Sequence, residues 1–218
     1  MPIHIERLTP ADVPTKCKIE LEAFKNHPRI PMMWPRGYTA DLYSFKESSD
    51  ASSLANPQCR MFKAVDAIRG IVGTAEWTLA LDVDAQAHQQ PTPDDAPPPA
   101  NWPEGGNWAL RRFYKINIEK LLRQHLDNQP YIMLNFLTVA PAMQGQGVGS
   151  RLMQWGVEEA DRRGAAIVLE STPTGLALYK RHGFVTIEVI NADMRAFGRT
   201  EPYDEAAAIR VFMIRYAR

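Results

Sequence analysis

The sequence predicts an α/β protein built on a mixed sheet. Strand-like and helical segments alternate through the second half of the chain, while the first half is helix-rich before a pair of strands joined by a short turn. A third observation adds chemistry to architecture. The apolar run ending Leu137-Thr138-Val139 passes through a glycine-rich turn, Gln144 to Gly149, directly into a helical pattern.

Each element has its own justification. Ile3 to Leu8 alternates apolar and polar residues, as a half-buried strand does. Thr9-Pro10-Ala11-Asp12 reads as turn and helix cap, and Val13, Cys17, Leu21 and Phe24 then recur at helical spacing as far as about Asn26. Pro28, Pro31 and Pro35 break that pattern, and Thr39 to Lys46 reads as a short helix. Arg60 to Val65 and Ile68 to Leu81 read as two strands turning around Asp66, the second rich in small and β-branched residues. Between Asp82 and Asn107 there are six prolines and almost no aliphatic residues, so a mobile surface insertion is expected. Trp108 to about Leu126 is helical in pattern and stops at Asp127-Asn128-Gln129-Pro130. Tyr131 to Val139 is a strand, Gly147 to Arg163 a helix stopped by Gly164, and Ala166 to Glu170 a strand. Pro173 to Arg181 is a helix with Gly183 suited to its left-handed exit, and Phe184 to Ile190 and Ala208 to Tyr216 are the last strands. The whole reads as one domain, residues 1–218, carrying the insertion at about 82–107.

Composition narrows the function classes. With 218 residues, 45% hydrophobic and 23% charged, the chain can bury a sizeable core. Lys+Arg and Asp+Glu both number 25, so bulk charge does not suit nucleic acid or an anionic membrane, and neither is expected as a partner. The two cysteines make no disulfide framework, and neither they nor the five histidines show metal-ligand spacing; no metal is expected. The N-terminal residues lack a signal-peptide pattern and no run approaches a membrane span, which points to the cytoplasm and leaves the nucleus open.

A strand feeding a glycine-rich loop at a helix N-terminus is a phosphate-binding arrangement: free main-chain N–H groups converge there and the helix dipole adds positive charge. A Rossmann dinucleotide site would need that loop after an early strand and an acidic residue about 20 residues on. The segment Gly164 to Leu169 offers none.

Gln144-x-x-Gly147-x-Gly149 resembles the acyl-CoA motif of the GNAT superfamily of N-acyltransferases. Further matches are the strand exit Leu137-x-Val139-x-Pro141, the helix ending Ala160-Asp161-x-x-Gly164, and Leu178-Tyr179-x-x-x-Gly183-Phe184, with Tyr179 placed 35 residues beyond Gln144. The specific resemblance covers roughly Tyr131 to Ile190, and Trp155-Gly156-x-x-x-Ala160-Asp161 looks like a subgroup common in filamentous fungi. The resemblance implies a mostly antiparallel sheet of about seven strands, splayed between the fourth and fifth and flanked by helices. It also implies acetyl-CoA as co-substrate, with Gln144, Gly145, Gln146, Gly147, Val148, Gly149 and Ser150 wrapping the pyrophosphate by main-chain N–H groups. Leu137, Thr138 and Val139 would line the pantetheine arm, as an added strand does. The Val139 N–H would face the thioester carbonyl and stabilise the oxyanion of the tetrahedral intermediate.

Tyr179 is the implied general acid, since a phenol with a reference pKa of about 10 is protonated at neutral pH and can donate to the departing thiolate; a tyrosine on an amphipathic helix can equally be core. Glu76 and Glu170, lone acids among apolar strand neighbours, are candidates for the base, each with an edge or surface placement as the alternative. Thr172 stands where many members carry an Asn that contacts the cofactor, and its shorter hydroxyl could make a similar bond. Trp34, Tyr38, Tyr43, Trp108 and Phe113 are candidate acceptor-pocket residues. The expected activity is transfer of an acetyl group to a primary amine of a small molecule by direct attack in a ternary complex. Acetylation of a protein or peptide amine, and a non-catalytic acyl-CoA-binding module, are the alternatives. The chain is expected to be a monomer or homodimer.

Overall fold

A computed structural model of the chain describes residues 3–82, 84, 90–126 and 129–217. Seven strands form one sheet in the order β1-β2-β3-β4-β5-β7-β6. They are β1 (His4–Arg7), β2 (Cys59–Asp66), β3 (Gly70–Ala80), β4 (Tyr131–Val139), β5 (Ala166–Ser171), β6 (Val185–Ile190) and β7 (Arg210–Arg215). Every neighbouring pair is antiparallel except β4 and β5, which run parallel. The helices are α1 (Val13–Phe24), α2 (Ile30–Met33), α3 (Ala40–Ala55), α4 (Trp108–Leu126), α5 (Val148–Arg163), α6 (Leu176–Arg181) and α7 (Glu205–Ala208). No described helix is long and apolar enough to cross a membrane.

Strand alternation divides the sheet into two faces. Ala75, Trp77, Leu79, Ile132, Leu134, Ile167 and Leu169 point to one face, where Val148, Leu152, Met153 and Ala160 of α5 cover them. Val168, Phe212 and Ile214 point to the other, covered by Leu110, Tyr114, Ile118 and Leu121 of α4 and by Met32 and Met33 of α2. Glu76 and Glu170 fall on this second face by the same alternation, and Phe136 and Thr138 reach it because a bulge in β4 shifts the alternation by one residue.

The parallel pairing of β4 with β5 runs from Tyr131↔Ala166 to Leu134↔Leu169 and goes no further. At that point β4 slips register against β3: Trp77 pairs with Leu134 and Glu76 with Phe136, so Asn135 is an extra, bulged residue. Its side chain donates to Thr78 Oγ1 at 2.7 Å. Beyond the bulge β4 stays on β3, while Glu170 and Ser171 of β5 pair with Phe212 and Val211 of β7. The two central strands therefore part, as the family resemblance implies.

Two expectations need correction. The short helix expected at Thr39 to Lys46 runs on to Ala55 as α3, because Asp50 in its second half is drawn into a buried ion pair with Lys16 of α1. Of the insertion, residues 83 and 85–89 lie outside those described, but 90–107 are fastened down rather than loose. Trp102 packs against Trp34, Phe45 and Trp108, with ring centroids 5.0–5.2 Å apart. The carboxylate of Glu119 accepts from Thr92 through both N–H and hydroxyl, and Ala96 O accepts from Trp108 Nε1 and Arg112. Asn107 caps α4, its Oδ1 accepting from the Leu110 N–H at 3.0 Å. The predicted stop of that helix begins on Asp127 and Asn128, which lie outside the described residues.

The closeness of α5 to the sheet has one steric requirement. A Cβ on Gly156 would come within 2.2 Å of the Trp77 indole, itself wholly buried and edge-on to Trp155. Gly156→Ala should therefore push α5 off β3 and lower unfolding stability by about 1–3 kcal/mol through overpacking. Urea denaturation measures this, and stability equal to wild type would show that the helix has slack there.

Candidate functional site

The opening between β4 and β5 exposes main chain on its β4 side. The Ala140 N–H donates to Val72 O of β3 at 2.8 Å. Since peptide groups alternate along a strand, the N–H and C=O of Val139, and those of Leu137, turn away from β3 towards the opening. The Val139 carbonyl confirms this: it accepts from Gln144 Nε2 at 3.1 Å instead of from a strand. Leu137 and Val139 pack their side chains on the α5 face, and Thr138 sends its hydroxyl to Thr74 Oγ1 at 2.9 Å on the other. Main chain and side chains thus have separate roles here.

Past Pro141–Met143, a single 3₁₀ turn, the chain reaches the glycine-rich loop. Gly145 and Gly147 have φ of 74° and 79°, a region that L side chains avoid, and a Cβ on either would project into open space. Gly147 is the N-cap of α5, which has no side-chain cap and no acidic residue in its first turn. The leading N–H groups of a four-turn helix thus face outward beside a surface cleared of side chains, which is how a helix terminus receives an anion. Gln146 folds away, donating to Ala142 O, and Val148 buries its side chain in the core, leaving main chain as what the loop offers.

Tyr179 comes from α6, which follows the 3₁₀ turn Pro173–Gly175. Its ring is packed edge-on to Phe184 at 5.8 Å and lies against Gly175, so the phenol is held in place and 8% exposed. Burial pushes its pKa well above the usual tyrosine value, and its hydroxyl bonds to none of the described residues. Thr172, at the mouth of this turn, shares a 2.9 Å hydroxyl bond with Thr174.

The second face of the sheet carries two groups of buried charge, one on each side of the opening. On the β3 side, Lys16 Nζ sits 2.7 Å from Asp50, 3.3 Å from Glu20 and 3.4 Å from Glu76, and Lys46 bonds the other oxygen of Glu20. Phe136 lies under both ammonium groups at 5.3 Å. Three carboxylates face two ammonium groups, so one negative charge is in surplus. Burial raises the pKa of Glu76 against the pull of Lys16, which stands 3.4 Å from its Oε2. Burial opposes the charge on Lys16, but Glu20, Glu76 and Asp50 together hold it above the usual lysine range.

On the β5 side, Glu170 accepts from Arg210 Nη1 at 2.6 Å. Burial raises Glu170 to about 7, with Arg111 and Arg29 pulling the other way. Beyond it Tyr114, fully buried on α4, has the guanidinium carbons of Arg210 and Arg29 at 4.1 and 5.3 Å from its ring centroid. Arg29, Tyr114 and Arg210 carry no functional reading in the sequence. Arg29 is hidden between two helix-breaking prolines and Tyr114 on an apolar stripe; Arg210, a charge opening an apolar strand, was the one visible signal.

Of the aromatic residues expected at an acceptor pocket, Tyr43 lines a cavity of about 380 Å³ with Lys18, Ile19, Glu22, Ala140 and Pro141, next to the end of β4. Trp34 and Trp108 are taken up by Trp102, Tyr38 donates to Leu21 O, and Phe113 packs on Phe197.

Residues 116–186 match the family described as acetyltransferase (GNAT) domain. Solved structures similar across nearly the whole chain include mosquito arylalkylamine N-acetyltransferase like 5b (TM-score 0.64, 16% identity, covering 99% of this chain and 100% of that one). Another, from Corynebacterium glutamicum, is described as histone acetyltransferase HPA2 and related acetyltransferase (0.62, 23%, 100% and 98%). A third is an agmatine N-acetyltransferase S171A variant (0.65, 16%, 98% and 99%). The splayed sheet, the glycine-capped helix and this match define an acyltransferase fold. Residues 116–186 thus carry the acetyltransferase (GNAT) domain match, and over its whole length the chain shares the fold of these acetyltransferases.

Neither cysteine is suited to carry an acyl group. Burial pushes the Cys17 thiol up to about 12, aided by Asp50, to which it donates at 3.2 Å, and the Cys59 thiol up to about 11. Iodoacetamide at pH 8 should leave both unlabelled in the native protein and modify both after denaturation, as read by intact mass. Native labelling would mean a thiol accessible for covalent catalysis.

Proposed function

We propose that this protein transfers the acetyl group of acetyl-CoA to the primary amine of a small molecule, by direct attack in a ternary complex. The observation that carries the reading is the open edge of β4. Main-chain groups at Leu137 and Val139 face an opening between parallel strands, and a glycine loop cleared of side chains follows within a few residues. Acetyl-CoA would supply an activated acetyl thioester. The N–H groups from Gly145 to Ser150 hold the pyrophosphate, Gln144 sets the start of the loop, and the main chain of Leu137, Thr138 and Val139 holds the pantetheine arm, with Thr172 at its flank. The Val139 N–H faces the carbonyl oxygen, where it stabilises developing negative charge.

Proton movements fall to two side chains. Tyr179, kept protonated by burial, donates to the departing thiolate. Glu170 takes the proton of the incoming ammonium, since a carboxylate poised near 7 can both accept and release it at neutral pH. Glu76 faces Lys16 inside a closed ion cluster, and we assign it to that network rather than to the reaction. Support for a small acceptor comes from α4 and residues 90–107, which lie fastened over the second face where a peptide would need an open groove. The arylalkylamine and agmatine enzymes of similar fold are named for small amines, although the Corynebacterium protein is described as a histone acetyltransferase.

With acetyl-CoA and a panel of small primary amines, coenzyme A release should rise above hydrolysis for at least one amine; binding of acetyl-CoA with no amine consumed overturns the catalytic reading. Tyr179→Phe keeps the packed ring, so kcat should fall roughly 10²-fold while the acetyl-CoA Kd stays within about two-fold. Parallel losses in both would assign Tyr179 to the core.

The base assignment has its own signature in pH. A base works deprotonated, so kcat/KM should rise as pH passes through about 7. Glu170→Gln should abolish that rising limb, and a limb that survives the substitution removes Glu170 from the proton path.

A further inference from the structure

We propose that the β5 side of the acceptor face is a built anion subsite, and that the amine acetylated by this protein carries a carboxylate held there by Arg29. The inference rests on the acyl-transfer reading above and names its substrate class. Arg29 lies in the turn between α1 and α2 and is 8% exposed. Its guanidinium makes no ion pair with any described residue, its polar neighbour is the Tyr114 hydroxyl, and Nε and Nη1 are buried without partners. Glu170 is bonded to Arg210, and Arg29 lies within its field without forming an ion pair with it. A buried guanidinium in that condition is unfavourable unless a ligand completes it.

The neighbours agree in the sign of what is missing. Arg210 Nε is also buried and unpartnered, and the buried Tyr114 hydroxyl has no close polar neighbour but Arg29. So is His27 Nε2, and the Arg29 N–H donates to His27 Nδ1 at 3.2 Å, which puts the ring proton on Nε2. Burial, with Arg29 beside it, lowers the His27 pKa to about 4, so the ring is neutral and that N–H remains one donor. Every unpartnered group here can donate, and the guanidinium and imidazole groups can do nothing else. The complement of such a set is an acceptor-only anion, and the planar fork of Arg29 matches a carboxylate. The phosphates of coenzyme A do not fill the role. The glycine loop that would hold them heads α5, which packs on the opposite face of the sheet.

Matched sets of free amino acids, their carboxamides and their decarboxylated amines test the subsite. Calorimetric titration in the presence of coenzyme A reads binding, and acetyl-CoA consumption reads turnover. The carboxylate-bearing member of a set should bind about 10–100-fold tighter than its carboxamide, the span of charge-assisted hydrogen bonds to one guanidinium. Arg29→Met should erase the difference while leaving the carboxamide unchanged, and Arg29→Lys should restore part of it. Equal affinity across every set, or an Arg29→Met loss shared by all three members, overturns the subsite. So does competition by inorganic phosphate as strong as that of the amino acid. Carboxylate binding that depends on Arg29 without turnover of any amine overturns the acyl-transfer reading and leaves the subsite standing.

Discussion

The parting of β4 from β5 after Leu134↔Leu169 is the constraint on which the rest of the structure depends. Main-chain N–H and C=O groups inside a sheet normally find a strand partner, and a buried one left without costs on the order of 1–3 kcal/mol. Here β4 runs past the divergence with its outward groups at Leu137 and Val139 unpaired to any strand, and the chain's own Gln144 supplies a bond to the Val139 carbonyl. Two devices hold the opening. The bulge at Asn135 keeps β4 on β3 while re-aiming it, and β7 takes up the end of β5 at Glu170 and Ser171. Closing the gap would require undoing both.

The same divergence explains why both flanks are charged. A residue at the lip of a sheet opening is neither in the core nor in free water, and a single charge there is costly. The chain supports its charges in groups: Lys16 and Lys46 with Glu20, Asp50 and Glu76 on one side, Arg29 and Arg210 with Glu170 and Tyr114 on the other. The balance differs between them. The β3 group has one carboxylate more than its ammonium groups, and burial raises the pKa of Glu76 among them, while the β5 group has more guanidinium groups than carboxylates, and these shed no proton in this range. The two flanks are therefore not equivalent even though each presents a glutamate.

Much of the fold is legible in the sequence because its signals are local. Tyr131 to Val139 is an apolar run and is β4 with those same bounds; the run from Gly147 to Arg163 differs from α5 by a single residue; Gly164 and Gly183 take the positive φ that their positions after helices require. What escaped was set by distant partners. The Ser-rich end of α3 has little periodicity, and its helix is held through Asp50 reaching Lys16, a residue 34 positions away. The insertion reads as a loose segment because proline and aspartate cannot build a core. A single Trp102, meeting Trp34, Phe45 and Trp108, is enough to anchor its described second half, and composition does not weigh one residue that heavily.

The division between legible and hidden follows the two halves of the site. The donor side, as proposed, uses main chain, and main-chain recognition leaves marks that a sequence must show: glycines where a Cβ is forbidden, a strand of fixed length, a helix that starts at once. The proposed acceptor side uses side chains from the turn after α1 and from α4, β5 and β7, up to 181 positions apart, that meet only when the sheet forms. No spacing rule joins Arg29, Tyr114, Glu170 and Arg210, and each alone is an ordinary residue. A glycine loop can therefore be shared among proteins that acetylate different amines, while the residues that choose among those amines are free to differ on every element that borders the opening.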